Sequence, residues 1–236
     1  MIRIENIQKQ FGNFHVLKNV SLACQSGASI ALIGPNGSGK TTMIKSLLGM
    51  VIPTSGKIYF NGMDIKGEWL YREKIGYMPQ MNRYPEHMNI GQVIKMVKDI
   101  RKNKEYIDEE LIEQFQLKDI YYKKMGTLSG GTKQKVGACL AFLFNPSVLI
   151  LDEPTAGLDP LSSEILKNKI IKEHQKGKTI IISSHILSEL DEIVNEVIYM
   201  MEGEVKFHEK IDELKKRTNE TKLSKMIAKI MIQHHE

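Results

Sequence analysis

The segment "GPNGSGKTT", Gly34 to Thr42, constrains what this chain can fold into more than any other stretch. It fits the spacing GxxxxGK[ST], follows the short apolar run "ASIALI" and precedes the helical "TTMIKSLLGM". A glycine-rich loop in that position turns backbone N–H groups inward around phosphate oxygens, and the helix behind it adds the positive end of its dipole. Gly34, Pro35, Asn36, Gly37, Ser38 and Gly39 then form the cradle, with Thr42 supporting it. Lys40 reaches the β- and γ-phosphates, and the Thr41 hydroxyl ligates magnesium.

The rest of the chain alternates strand and helix patterns, which predicts an α/β protein with a parallel sheet. Near the N-terminus Ile2, Ile4 and Ile7 alternate with polar residues, and "KIYFNGMDI" holds an Asn61-Gly62 turn between strand-like runs. From Asn89 the period changes: Ile90, Val93, Ile94, Val97 and Ile100 fall at helical spacing, and Asp108 is placed to cap a second helix through Leu111, Ile112 and Phe115. A helical insert is expected over about 86–147. Strand character returns at "SVLILDEP" and "KTIIISSH", separated by a helix carrying Ile165, Leu166, Lys169 and Ile170, and "VIYMMEGEVKF" reads as a hairpin. A tail of about 209–236 carries one helical stripe of Leu223, Met226, Ile227, Ile230 and Met231, expected to pack on its own protein or a partner rather than on a membrane.

A phosphate loop alone leaves kinases, GTPases and many ATPases open. The strand "SVLILDEP" ends in Asp152 and Glu153, so the aspartate can join the magnesium shell while the glutamate polarises a water for attack on the γ-phosphate. Two acids at this place point to hydrolysis. A guanine reader would need Asn-Lys-x-Asp; the nearest string, "NKEY" at Asn103, lacks the aspartate, so adenine is favoured.

Composition removes other classes. The longest nearly apolar stretch, "ACLAFLFNPSVLIL", is interrupted by Asn145 and Pro146 and falls short of the roughly 20 residues that span a bilayer. The first residues alternate like a strand and lack the apolar block of a secretory signal, so the expected location is the cytoplasm. Cys24 and Cys139 show no metal or disulfide spacing and are expected in the core. A net charge of +5 would suit a polyphosphate, nucleic acid or an anionic surface, but no basic run interleaved with aromatics accompanies it, and no nucleic-acid partner is expected. The 13 methionines are read as core filler and the His234-His235-Glu236 end as tail, leaving magnesium as the one metal assigned.

Taken in order, the phosphate loop, "LSGGTKQKV", "VLILDEP", "AGLDP" and "SSH" resemble the nucleotide-binding subunit of an ABC transporter over about residues 1–208. The resemblance implies a P-loop NTPase with a RecA-like core of about 1–85 and 148–208, an N-terminal antiparallel β subdomain and the inserted helical subdomain. It also implies roles: Gln80 is the Q-loop glutamine at the magnesium, Asp159 the D-loop acid, His185 the switch histidine facing the γ-phosphate. Phe11 stands where the family usually has a tyrosine stacked on adenine. Ser129, Gly130 and Gly131 are implied to cover the ATP held by a second copy in a head-to-tail dimer, from a helix beginning near Thr132. That Thr132 replaces the usual glutamine is a departure that leaves the phosphate-facing atoms in place. The implied protein is an ATPase using ATP and Mg2+ and driving a separate transmembrane permease from the inner face of the membrane. Within the superfamily, "MPQMNRYPEHMNIGQV" is similar to exporter-type ATPases and to those that mature the copper site of nitrous-oxide reductase.

Two rivals are weighed against this. Soluble ABC ATPases acting on nucleic acid or ribosomes usually carry two cassettes or a long coiled-coil insertion, whereas only 47 residues separate Gln80 from Leu128. A purely regulatory nucleotide binder would have no need of both Glu153 and His185.

Overall fold

The computed structural model describes residues 1–101 and 106–233. Asn103 and the His234-His235-Glu236 end lie outside the described residues.

Two sheets organise the chain. The first is antiparallel and built from β1 (Ile2–Phe11), β2 (Phe14–Cys24), β4 (Ser55–Phe60) and β5 (Met63–Asp64), in the order β2-β1-β4-β5. The Asn61-Gly62 turn joins β4 to β5, and both residues have positive φ, as a tight two-residue hairpin requires. The second sheet holds β3 (Ser29–Ile33), β6 (Ile75–Met78), β7 (Val148–Asp152), β8 (Thr179–Ser183), β9 (Glu196–Met201) and β10 (Glu204–Lys210), in the order β10-β9-β3-β8-β7-β6. Its pairs are parallel except β9–β10, the hairpin read from "VIYMMEGEVKF".

Strands β3, β7 and β8 are buried along their whole length, so alternation decides which layer each residue joins. Ala31, Ile33, Leu149, Leu151, Ile180 and Ile182 face one core, shared with helices; Ile30, Leu32, Val148, Ile150 and Ile181 face the other, shared with the antiparallel sheet and α1 (Lys40–Leu47). The first core takes in α2 (Ile90–Ile100), α3 (Glu110–Gln114), α4 (Gly130–Phe142) and α5 (Pro160–Gln175). α2 begins in a capping box, Asn89 with Gln92, where the period changes. Asp108 accepts from the Glu110 amide, but α3 is only one turn long and ends before Phe115.

Beyond β10, α6 (Ile211–Thr218) and α7 (Leu223–Gln233) close the chain. The tail stripe packs on the protein itself: Leu223, Met226, Ile227 and Ile230 are buried in the first core, and the Leu223 amide donates to Asp191 Oδ1 at 2.8 Å. Cys24 and Cys139 are both buried and free, and burial pushes the Cys24 thiol up to about 12. Among the described residues no helix is long and apolar enough to cross a membrane.

The topology places chemistry at one edge. In parallel neighbours all C-terminal ends point the same way, and ligands collect there. β3 ends in the phosphate loop, β8 in Ser183 and then His185, β7 in Asp152 and Glu153, and β6 runs into Gln80.

Candidate functional site

A cavity of 260 Å³ lies at that edge, lined by Asn36, Gly37, Ser38, Gly39, Lys40, Thr41, Thr42, Gln80, Asp152, Glu153 and His185, with Phe14 and Val16 at its rim. A larger hollow of 550 Å³ lies between the antiparallel sheet and the end of α1; no residue of the glycine-rich loop and neither Asp152 nor Glu153 lines it, so chemistry decides for the smaller one.

Glycine is required in the loop for stated reasons. Gly34 has φ +152°, and a Cβ there would come 2.0 Å from the Met200 carbonyl oxygen; Gly39 has φ +100°, with a Cβ 3.0 Å from the Val16 carbonyl. Gly39 also caps α1 without a side chain, and no acid occupies the first turn, which leaves that helix end positive. Lys40 bends back, its Nζ donating to the Gly34 carbonyl at 2.7 Å and the Pro35 carbonyl at 3.0 Å. Burial holds its amine below the usual lysine range, against the pull of Asp152 and Glu153. The buried Ser38 hydroxyl has no hydrogen-bond partner among the described residues. A positive helix end, a desolvated ammonium and an orphaned hydroxyl fit a polyanion.

Asp152 is buried at the end of β7 and accepts a hydrogen bond from the Ser183 hydroxyl. Burial raises its carboxyl above the ordinary aspartate range; the Ser183 bond works the other way. Thr41, Asp152 and Gln80 all line that cavity, and a hydroxyl, a carboxylate and a side-chain amide are a donor set that fits a hard divalent cation such as Mg2+.

Glu153 has φ +51°, a left-handed backbone that costs a non-glycine residue about 1–2 kcal/mol. Hydrogen bonds hold it there on both sides. Its amide donates to the Ser183 carbonyl and hydroxyl, both at 3.1 Å, and its carbonyl accepts from Gln134 Nε2 at 3.1 Å. The carboxylate so aimed meets His185 Nε2 at 2.8 Å.

The remaining predicted residues lie elsewhere. Ser129 and Gly130 are exposed at the start of α4 and do not line the cavity. α4 begins at Gly130 rather than near Thr132, because Ser129 caps it, its Oγ accepting from the Thr132 amide at 3.2 Å and lying 2.9 Å from Thr132 Oγ1. A Cβ on Gly131 would come 2.6 Å from the Gly157 carbonyl, whereas one on Gly130 would meet nothing within 4 Å. Gly131 is thus fixed by packing within the chain, while Gly130 faces open space. Asp159 caps α5 through Ser162 and pairs with Lys135 of α4 at 2.9 Å, and Lys135 first, then Ser162, holds its carboxyl far below the ordinary range.

Phe11 does not line the cavity, whereas Phe14 does. The two pair directly across the β1–β2 turn, so the hairpin brings both rings to one end of the sheet while the strand pattern alone could not choose between them. Gln134, Asn82 and Ser183 were also missed: Gln134 lies within "LSGGTKQKV" and Ser183 within "KTIIISSH", but each acts through a contact with a distant segment that the motif does not show.

The family model for ABC transporters matches residues 17–156. The lantibiotic transport ATP-binding protein SrtF of Streptococcus pyogenes is 35% identical over 214 residues, covering 90% of this chain and 92% of SrtF. Among solved structures, an ATP-binding subunit of an ABC transporter superposes with a TM-score of 0.89 at 26% identity, over 98% of this chain and 99% of that one. The ATP-binding cassette MJ0796, in a dimeric post-hydrolysis state bound to ADP and Pi, superposes with a TM-score of 0.79 at 25% identity, over 89% of this chain and 99% of that one.

Proposed function

The chain belongs to the ABC transporter family, as an ATP-binding subunit with ATPase activity coupled to transport, and from that premise we propose that it hydrolyses Mg-ATP at composite sites shared by two copies and drives a separate transmembrane permease. The observation that carries the reading is the meeting of Lys40, Thr41, Gln80, Asp152, Glu153 and His185 in one cavity at the ends of four parallel strands.

Each residue's part follows from its chemistry. Loop amides, Lys40 and Ser38 hold the phosphates; Thr41, Asp152 and Gln80 hold Mg2+, which when bound neutralises developing phosphate charge. Glu153 accepts the proton of the attacking water, and His185, already in contact with Glu153, faces the phosphate end. Ser129 and Gly130, exposed and unobstructed, are left to a second copy, a reading supported by the dimeric cassette bound to ADP and Pi.

A permease seat is supported by exposed apolar side chains: Met50 after α1, Trp69 and Leu70 in the turn before β6, Met81 beside Gln80, and Ile100 at the end of α2. Arg101 ties α2 to that turn, donating to the Glu73 carbonyl at 2.7 Å. Docking there places the subunit on the inner face of the cell membrane. The likeness to a lantibiotic transport ATP-binding protein supports transport as the output; an exporter-type system is the direction proposed, and the stretch after Gln80 is the ground for the copper-enzyme maturation alternative. Phosphate release from Mg-ATP, in competition with GTP, tests the reading: GTP preferred over ATP, or no release from either, would count against it.

A further inference from the structure

We propose that Gln134 is a positioning residue for hydrolysis, setting the Glu153 carboxylate from the helix that carries Ser129 and Gly130, with Asn82 bracing it from the loop after Gln80. The inference rests on the ATPase reading above.

Gln134 lies on α4 and is only 4% exposed, so its amide must find partners inside the protein. It finds three. Nε2 donates to the Glu153 carbonyl at 3.1 Å and the Pro154 carbonyl at 3.3 Å, while Oε1 accepts from Asn82 Nδ2 at 2.8 Å. The orientation is forced, because two carbonyls can only be met by the N–H side of the amide. Asn82 is oriented in turn, its Oδ1 accepting from the Tyr84 hydroxyl at 3.0 Å. One side chain therefore uses both N–H groups and its oxygen to join α4, the turn after β7 and the loop after Gln80.

The turn after β7 is where such a clamp matters. Glu153 holds a left-handed backbone, and its carboxylate direction follows from that conformation. Ser183 fixes the amide side; Gln134 fixes the carbonyl side. Without the Gln134 N–H groups, two carbonyls of a strained turn lose their partner, and the carboxylate is free to swing.

Gly137, one turn further along α4, leaves room for the brace. A Cβ there would lie 2.2 Å from Asn82 Oδ1, so Asn82 rests against bare helix backbone. A shift of α4 against the loop after Gln80 is thereby felt at Glu153.

The test uses the full chain with Mg-ATP. Wild-type phosphate release decides the ATPase reading by itself; ratios of variants decide this inference. Gln134→Met keeps length and burial but removes both N–H groups, and it is expected to lower kcat by at least about tenfold, within the hundredfold that misplacing a catalytic group can cost, while KM and ATP affinity stay within about twofold. In a Glu153→Gln background the same substitution is expected to change residual turnover by less than about twofold, because no carboxylate remains to be aimed. An undiminished kcat in folded Gln134→Met, parallel losses of kcat and ATP affinity, or an equal fold-loss in both backgrounds would overturn the assignment. Should Gln134→Met fail to fold, Gly137→Ala carries the test: alanine suits a helix better than glycine, but its Cβ displaces Asn82, so kcat is expected to fall about threefold while ATP affinity stays within about twofold. An unchanged kcat there overturns the inference.

Discussion

His185 Nε2 stands 2.8 Å from the Glu153 carboxylate, joining the second residue after β8 to the first residue after β7. Both side chains line the same cavity as Lys40, which is where the proposed mechanism needs a proton acceptor and an imidazole toward the phosphate. His185→Ala is expected to lower turnover by roughly 10²-fold or more, the scale of a lost acid–base partner, with ATP binding retained. Steady-state phosphate release beside a binding titration measures this, and full-speed release would show that His185 plays no part.

The phosphate loop yields a paired prediction. Lys40→Ala removes the one side-chain cation of the cradle and is expected to weaken ATP binding at least about tenfold, since a charge-assisted hydrogen bond is worth about 1.5–3 kcal/mol. Ser38→Ala acts differently. It removes a buried hydroxyl that has no partner among the described residues, a group that costs about 1–3 kcal/mol, so the nucleotide-free protein should become more stable while ATP affinity falls. Calorimetry with and without ATP reads both effects, and a less stable nucleotide-free Ser38→Ala protein would mean the hydroxyl is satisfied.

Adenine stacking separates Phe11 from Phe14. Phe14 lines the cavity and Phe11 does not, so Phe14→Ala should weaken ATP the more, by about 1–3 kcal/mol as for a base stacked on an aromatic ring, while pyrophosphate binding is unaffected. A larger loss from Phe11→Ala would return the role to Phe11.

Away from the site, Lys169 of α5 is 2% exposed and meets Asp108 at 2.6 Å, Glu110 at 2.7 Å and Glu173 at 3.1 Å, tying α5 to the segment that opens α3. Burial would raise the Glu173 carboxyl, but hydrogen bonds from Lys176, Lys178 and Lys169 outweigh it and hold it at about 2. A depressed carboxyl contributes stability above its unfolded value, near 4.5, and loses it as pH falls toward 2. Lys169→Met should cost about 3–5 kcal/mol at pH 7 by stranding buried carboxylates. The gap to wild type should narrow below pH 4.5 in denaturant unfolding, and a gap that widened there would contradict the pairing.

What could be read from the residues was what is local. The phosphate loop is contiguous, with strand before and helix after, and Asp152 and Glu153 end an unbroken apolar run, so periodicity places them at one sheet edge. The tail stripe was legible as a stripe, but its seat beside Asp191 depends on packing that no periodicity encodes. Gln134 and Asn82 are 52 positions apart, and Lys169 and Asp108 are 61 apart; each pair exists only because the fold brings α4 to the loop after β6, and α5 to α3. Phe14 was hidden for a smaller reason. Across a two-residue turn, both hairpin aromatics satisfy the same pattern.

The shared-site account is tested most directly by the mass of Glu153→Gln in saturating Mg-ATP, measured by size-exclusion chromatography with light scattering. The amide keeps the side chain's shape and removes its charge, so ATP should bind without being cleaved and hold two chains together. The account predicts a dimer that appears with ATP, vanishes without it, and is lost on adding Ser129→Arg while each chain still binds ATP in its own loop. A Glu153→Gln protein that stays monomeric with ATP bound, alone and with its membrane partner, or a Ser129→Arg protein that loses ATP binding altogether, would contradict it.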